Sequence, residues 1–114
     1  MKKVIKGDIY YADLNPTKGD ELGGIKPVLI LQNNISNIDS KTTIVAPITT
    51  LKDNELKEYT HIAIRQFDKI RANSVVMLEQ VRVIDKNRLK GYVGLLEEEQ
   101  MNEVNKMLRL TFDI

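Results

Sequence analysis

Residues 23–31 read GGIKPVLIL, where two glycines, a lysine and a proline lead into an unbroken apolar run. The run over 27–33 is short enough for a buried strand. Gly23 and Gly24 permit a close backbone approach or a positive φ, and Pro27 holds Lys26 in an extended conformation. Lys26 therefore enters a buried strand with little backbone freedom. By itself this residue is either a lysine whose head reaches solvent from a strand end or a positioned cation for an anion such as phosphate.

The flanking sequence predicts further strands and one helix. Short β-rich segments predict strands over 9–14, 42–49, 60–64 and 74–84, and Pro47 indicates a bulge or an edge position. Polar, turn-rich segments at 33–41 and 51–59 predict loops.

The C-terminal segment differs in character, because Met101, Val104 and Leu108 recur at helical spacing within 96–112. Acidic residues precede them and basic residues follow, which complements a helix dipole. Five or more short strands and one amphipathic helix predict a small barrel or rolled sheet with the helix packed on it.

The composition of the chain excludes several classes of site and partner. A chain of 114 residues predicts one domain over 1–114, and a net charge of +1 gives no global field for nucleic acid. No segment is apolar and long enough for a membrane helix, so no membrane partner is expected. The absence of Cys excludes disulfides and thiolate metal sites and fits a reducing cytoplasm. His61 is the single histidine and is expected at the surface, so we predict neither metal nor cofactor.

Three blocks carry a family resemblance: GDIYYADLNPTKGDELGGIKPVLILQN (7–33), TTIVAPIT (42–49) and SVVMLEQVRVIDKNRL (74–89). Their content, order and spacing resemble the MazF/PemK family of toxins, and most closely the MazF proteins of Gram-positive bacteria. The resemblance runs from Gly7 to about Leu108. It implies an SH3-like antiparallel β-barrel with a C-terminal helix, as in MazF, PemK and CcdB.

The same resemblance implies a cytoplasmic, homodimeric endoribonuclease that cleaves single-stranded RNA, usually mRNA, without a metal. Its partner would be a MazE-like antitoxin whose extended tail fills the RNA groove. We expect the dimer to form through part of the 74–84 strand and the C-terminal helix, across a two-fold axis.

Site residues follow by matching motifs. The resemblance assigns catalysis to Lys26, where the family has an arginine, and to Thr49, which ends the third strand. It places Glu21 in the active-site loop and gives Glu79 and Gln80 to base recognition. Aromatic residues are few, so we expect bases to be recognised more by hydrogen bonds than by stacking. A local basic patch for the RNA backbone would comprise Lys18, Lys52, Lys57, Arg65, Lys69, Arg71 and Arg82.

Lysine at position 26 keeps the charge of arginine but loses its bidentate geometry. The chain is then a natural variant that works with lysine, a weak or sequence-shifted nuclease, or a deliberately attenuated form. Two other functions stay open at this point. One is a protein-binding toxin of the same fold that poisons DNA gyrase, and the other is an inactive relative that only sequesters antitoxin.

Overall fold

Seven antiparallel strands and two helices form the protein in a computed structural model that describes residues 3–51, 60–64, 67, 69–70 and 73–114. The elements are β1 (Asp8–Asp13), β2 (Ile25–Ile30), α1 (Asn34–Asp39), β3 (Thr42–Thr50), β4 (His61–Ala63), β5 (Ser74–Met77), β6 (Arg82–Asp85), β7 (Leu89–Leu95) and α2 (Glu98–Phe112). Two short 3-10 turns, Leu78–Gln80 and Lys86–Arg88, precede β6 and β7.

The strands are ordered β4-β5-β3-β2-β1-β7, and β6 pairs with β3. The mainly β class with a C-terminal helix is confirmed. Over the described residues, β4 and β7 do not pair, so the sheet is not closed into a barrel. None of the helices in that part of the chain is long and apolar enough to cross a membrane.

The predicted strand over 74–84 is wrong as one element. Its first part pairs with the end of β3 at Ile48↔Val76, and its second part pairs with the start of β3 at Val45↔Arg82. Between these two pairs lie five residues, 77–81, on one side and only two, 46–47, on the other. The extra residues form the 3-10 turn Leu78–Gln80, which does not pair with β3. The expected alternation of side chains through positions 78–80 therefore does not hold.

Two further differences concern short elements. Residues 34–39 form α1 instead of a loop, because the Asn33 side chain caps the helix by accepting a hydrogen bond from the Ser36 amide at 2.8 Å. The sequence did not predict β7, since Gly91 and Gly94 interrupt its apolar pattern. Of the loop predicted at 51–59, all but Leu51 lies outside the described residues.

Apolar side chains pack on both faces of the sheet. Leu29 belongs to the larger cluster, which α2 covers through the fully buried Val104. Val28 and Ile30, its neighbours on β2, belong to a second cluster on the opposite face. The middle of the β2–β3 pair, residues 28–30 of β2 and 45–48 of β3, is buried on both faces, so the two strands are anchored there.

Candidate active site

Lys26 and Thr49 lie at the same end of the central β2–β3 pair. The paired stretch ends at Val28↔Pro47, so both residues lie two positions beyond it along their own strands. Side chains alternate along a strand, which puts Lys26 on the face of Val28 and Thr49 on the face of Pro47. Val28 and Pro47 are cross-strand partners and share one face. The pairing thus brings Lys26 and Thr49 to one face and one end of the sheet.

Both side chains are half-buried. Within the described residues, no hydrogen bond or ion pair engages the Lys26 ammonium or the Thr49 hydroxyl. The neighbouring Thr50, in contrast, contacts Ser74 through its hydroxyl at 3.2 Å. A cation and a hydroxyl without partners therefore lie at the same end of the β2–β3 pair, where each can interact with a ligand.

The glycine pair before Lys26 serves two different needs. A Cβ on Gly23 would lie 2.6 Å from Asn15 Oδ1 and 2.9 Å from Thr17 Oγ1, so a larger residue there would force these side chains to shift. Gly24 has a φ of +78°, which glycine adopts without strain. Its amide donates to Asn15 Oδ1 at 3.0 Å, and its carbonyl accepts from the Leu14 amide at 2.9 Å. The glycines thereby close the base of the 14–24 loop just before Lys26.

Side chains from β6 and the two 3-10 turns also contact the 14–24 loop and the residue before it. Arg82 Nη1 donates to the Leu14 carbonyl at 3.0 Å, and Arg88 Nη1 donates to the Asp13 carbonyl at 3.1 Å. Gln80 uses both ends of its amide, accepting from the Leu22 amide at 3.4 Å and donating to the Asp20 carbonyl at 3.5 Å. The contacts of Gln80 are long for hydrogen bonds. Arg82 and Gln80 therefore position the loop.

Glu21 lies in a tight turn at the tip of this loop. Its Oε1 accepts from the Lys18 amide, and its own amide donates to the Lys18 carbonyl at 3.2 Å. These reciprocal contacts leave the second carboxylate oxygen of the exposed Glu21 open to solvent, and the Lys18 side chain is exposed as well.

An open cleft of about 370 Å³ separates the loop tip from the 3-10 turn. It holds three carboxylates and one guanidinium, so its wall is predominantly acidic. Lys26 and Thr49 do not line it, so the predicted site residues fall into two groups, one in this cleft and one at the end of the β2–β3 pair. The lining residues are Asp20, Glu21, Glu79, Gln80, Val81 and Arg82.

The Glu79 carboxylate contacts two side chains at the N-terminal end of β4. Its Oε2 lies 2.8 Å from His61 Nε2, and its Oε1 accepts from the Thr60 hydroxyl at 3.1 Å. Burial raises the pKa of the Glu79 carboxyl, but the hydrogen bonds from His61, its own backbone and Thr60, together with the charge of His61, outweigh this and lower the pKa overall. The expectation that His61 lies at the surface is wrong, since it is 5% exposed.

The site contains residues that sequence reasoning missed. Thr60 and His61 sit beside Glu79, and Asp20 lines the cleft, yet none belongs to a recognisable short motif. Only the proximity of β4 to β5 in the sheet reveals the first two. Over the described ranges, no three His, Cys, Asp or Glu side chains are grouped so as to hold a metal ion. Four members of the predicted basic patch lie outside those ranges, namely Lys52, Lys57, Arg65 and Arg71.

Comparison with known proteins identifies the family. The model of the PemK-like, MazF-like toxins of type II toxin–antitoxin systems matches residues 5–112. This chain belongs to that family. A relative named Endoribonuclease MazF, from Staphylococcus saprophyticus, is 44% identical over 110 residues, which cover 96% of this chain and 91% of the relative.

Solved structures of MazF-type proteins share the fold. The crystal structure of MazF from Deinococcus radiodurans superposes with a TM-score of 0.85 at 17% identity, and each chain is covered completely. A mycobacterial endoribonuclease in complex with its cognate antitoxin superposes with a TM-score of 0.76 at 24% identity, covering 100% of this chain and 97% of that one. At these identities the likeness shows the fold of the family.

Proposed function

We propose that this chain is a sequence-specific, metal-independent endoribonuclease toxin that cleaves single-stranded RNA and is neutralised by a MazE-like antitoxin. One observation carries the proposal: Lys26 and Thr49 lie on one face at one end of the β2–β3 pair. Within the described residues, neither the Lys26 ammonium nor the Thr49 hydroxyl has a hydrogen-bond partner. Family membership and the 44% identical endoribonuclease support it.

The substrate supplies its own nucleophile in this reaction. The 2′-hydroxyl attacks the adjacent phosphorus, the P–O5′ bond breaks, and the products carry a 2′,3′-cyclic phosphate and a 5′-hydroxyl. The enzyme must stabilise the negative charge that develops on the phosphorane and assist two proton transfers. DNA lacks the nucleophile, so it is expected to bind without being cut.

Lys26 and Thr49 can supply the charge stabilisation, while water takes the proton of the 2′-hydroxyl and gives a proton to the departing 5′-oxygen. The ammonium of Lys26, approaching the phosphate as a compact charge, stabilises the phosphorane oxygens, and the Thr49 hydroxyl donates a hydrogen bond to the same group. Arginine, as the family has at this position, would hold two oxygens at once. We therefore expect this chain to cleave RNA more slowly than its Lys26→Arg variant.

The remaining predicted residues fit a substrate path beside this centre. Glu79 lines the adjacent cleft, where nucleobases can be bound, while Gln80 and Arg82 fix the loop that borders it. Lys18 and Glu21 stand at the loop tip, where Lys18 is placed for the RNA backbone. An antitoxin segment that lies along this path would exclude RNA from both parts of the site.

A homodimer completes the proposal. The outer edge of β6 is unpaired within the described sheet, and Val83 on β6 and Phe112 on α2 are 59% and 56% exposed. Both line an apolar cleft of about 320 Å³ together with Leu31, Ile44, Val81, Arg82 and Leu108. Two copies joined through this face would bury it in a symmetric contact.

Single-turnover cleavage of a mixed-sequence RNA tests the proposal. We expect Lys26→Ala to lower the rate by about 10²- to 10³-fold, Lys26→Arg to raise it, and EDTA to leave it unchanged. Lys41→Ala is the matched control. Lys41 is exposed and immediately precedes β3, so it lies at the end of that strand opposite to Thr49. Cleavage by Lys26→Ala at the rate of the unaltered protein would show that Lys26 is not catalytic.

A further inference from the structure

A polar cluster of three residues lies at the floor of the acidic cleft. Thr60, immediately before β4, and His61, its first residue, are 7% and 5% exposed. Each contacts a different oxygen of Glu79, at 3.1 Å and 2.8 Å respectively, while the Glu79 side chain is 31% exposed. One end of this cluster is thus buried and the other opens into the cleft.

The cluster fixes the orientation of one carboxylate. With one oxygen bound by Thr60 and the other by His61, the Glu79 carboxylate can rotate only by giving up contacts with two buried side chains. The backbone reinforces this arrangement, because the Leu78 amide donates to the Thr60 carbonyl at 3.2 Å. A carboxylate accepts only, so His61 Nε2 must carry the hydrogen.

The bound carboxylate still has capacity for a ligand. Its two oxygens offer about four acceptor sites in all, of which Thr60, His61 and the backbone of Glu79 itself use three. Because Glu79 is partly exposed and lines the cleft, the remaining acceptor site is available to a donor that enters there.

The cleft selects the type of donor. Asp20, Glu21 and Glu79 repel phosphate, and the single guanidinium, that of Arg82, already donates to the Leu14 carbonyl. Adenine, cytosine and guanine carry exocyclic amino groups that donate to carboxylates, whereas uracil carries none. A nucleobase edge with an amino group therefore fits this wall, and the RNA backbone does not.

We propose that Thr60 and His61 are positioning residues that hold the Glu79 carboxylate as the acceptor for the amino group of one nucleobase, and so determine the base preference at that position. The inference rests on the proposed RNA substrate and concerns its selection. The lowered pKa of Glu79 agrees with it, because the group is then ionised at neutral pH.

Matched substitutions separate positioning from bulk structure. His61→Leu and Thr60→Val remove the hydrogen bonds and keep similar volumes. His61→Gln retains an N–H at the end of the side chain, and Thr60→Ser retains the hydroxyl. We expect the first two variants to reduce the preference for an amino-bearing base by roughly 5- to 100-fold, and the second two to keep most of it.

Binding without cleavage provides the readout. Fluorescence anisotropy with a panel of oligoribonucleotides, 2′-deoxy at the scission site and differing by one base at each position, measures base preference in the absence of the nucleophile. Loss of the preference at one position in His61→Leu and Thr60→Val, with rescue in His61→Gln and Thr60→Ser, supports the inference. If His61→Leu does not fold, Thr60→Val decides alone.

Two results would overturn the inference. One is a base preference in His61→Leu and Thr60→Val equal to that of the unaltered protein, and the other is an unaltered protein that binds all members of the panel equally. Failure of the proposed function is separate, because it appears as intact all-ribose RNA after incubation with the unaltered protein.

Discussion

Replacing Gly23 by alanine tests how the loop before Lys26 is built. The new Cβ would lie 2.6 Å from Asn15 Oδ1, while ordinary contacts begin at 3.4 Å, so the Asn15 amide must move by about 0.8 Å. That movement breaks the 3.0 Å hydrogen bond from the Gly24 amide. The Cβ also crowds Thr17 Oγ1 at 2.9 Å, so a second side chain must shift as well.

The expected cost follows from these contacts. Loss of a partly solvated hydrogen bond costs about 1 kcal/mol, and the crowding adds to it, so we expect a destabilisation of about 1–2 kcal/mol. For a domain of this length that corresponds to a melting temperature lower by roughly 4–8 °C. RNA cleavage should fall as well, since the displaced loop leads directly into Lys26.

Thermal and urea unfolding at one fixed protein concentration provide the assay, because association makes the transition concentration-dependent. Gly91→Ala is the matched control, since its Cβ would meet only Tyr11 Cδ2 at 3.7 Å and its backbone is not in the positive-φ region. We expect that control to be neutral or slightly stabilising. In an Asn15→Ala background, Gly23→Ala should cost less because the nearest obstacle is gone.

The reasoning is refuted if Gly23→Ala is no less stable than Gly91→Ala. It also fails if the cost of Gly23→Ala is unchanged in the Asn15→Ala background, because the steric contact with Asn15 would then not be its cause.

Other substitutions test separate parts of the structure. Burial raises the pKa of the Asp8 carboxyl above its ordinary 3.8 and outweighs the hydrogen bonds from Ile5 and Tyr92, which lower it. The stability that protonated Asp8 contributes should therefore be lost as pH rises through its folded pKa. Asp8→Asn should make the urea midpoint less dependent on pH over that range. Leu29→Ala, at a fully buried position, should cost about 2–5 kcal/mol in urea unfolding, and an undiminished stability would contradict the described core. Val83→Lys should shift sedimentation from dimer to monomer, and a monomeric unaltered protein at micromolar concentration would exclude the proposed interface.

The parts of the fold predicted from sequence are those whose signal is local. Strands β1 to β4 and helix α2 have apolar runs or periodicity that identify them directly, and β3 was placed nearly to the residue. In contrast, β7 contains Gly91 and Gly94, and it becomes a strand because it pairs with β1. Local propensity contains no information about such a partner.

The break in the 74–84 segment has the same origin. The sequence there is continuously β-forming, and the interruption arises because β5 and β6 pair with different halves of one long strand. His61 was misplaced for a related reason, because its neighbours Met77 and Glu79 are distant in sequence and meet it only through the pairing of β4 with β5. The resemblance proposed Lys26, Thr49, Glu21, Glu79 and Gln80 as site residues, and their catalytic and binding roles stay predictions.

The 3-10 turn at Leu78–Gln80 has a consequence for how such enzymes diversify. Glu79 and Gln80 lie in the segment that does not pair with β3, so no strand pairing depends on the residues at these two positions. Substitution there alters the chemistry of the cleft and leaves the register of β3 with its neighbours intact. Under the proposed function, selection can therefore change which RNA is recognised while the strand pairing of β3, which carries Thr49, is kept.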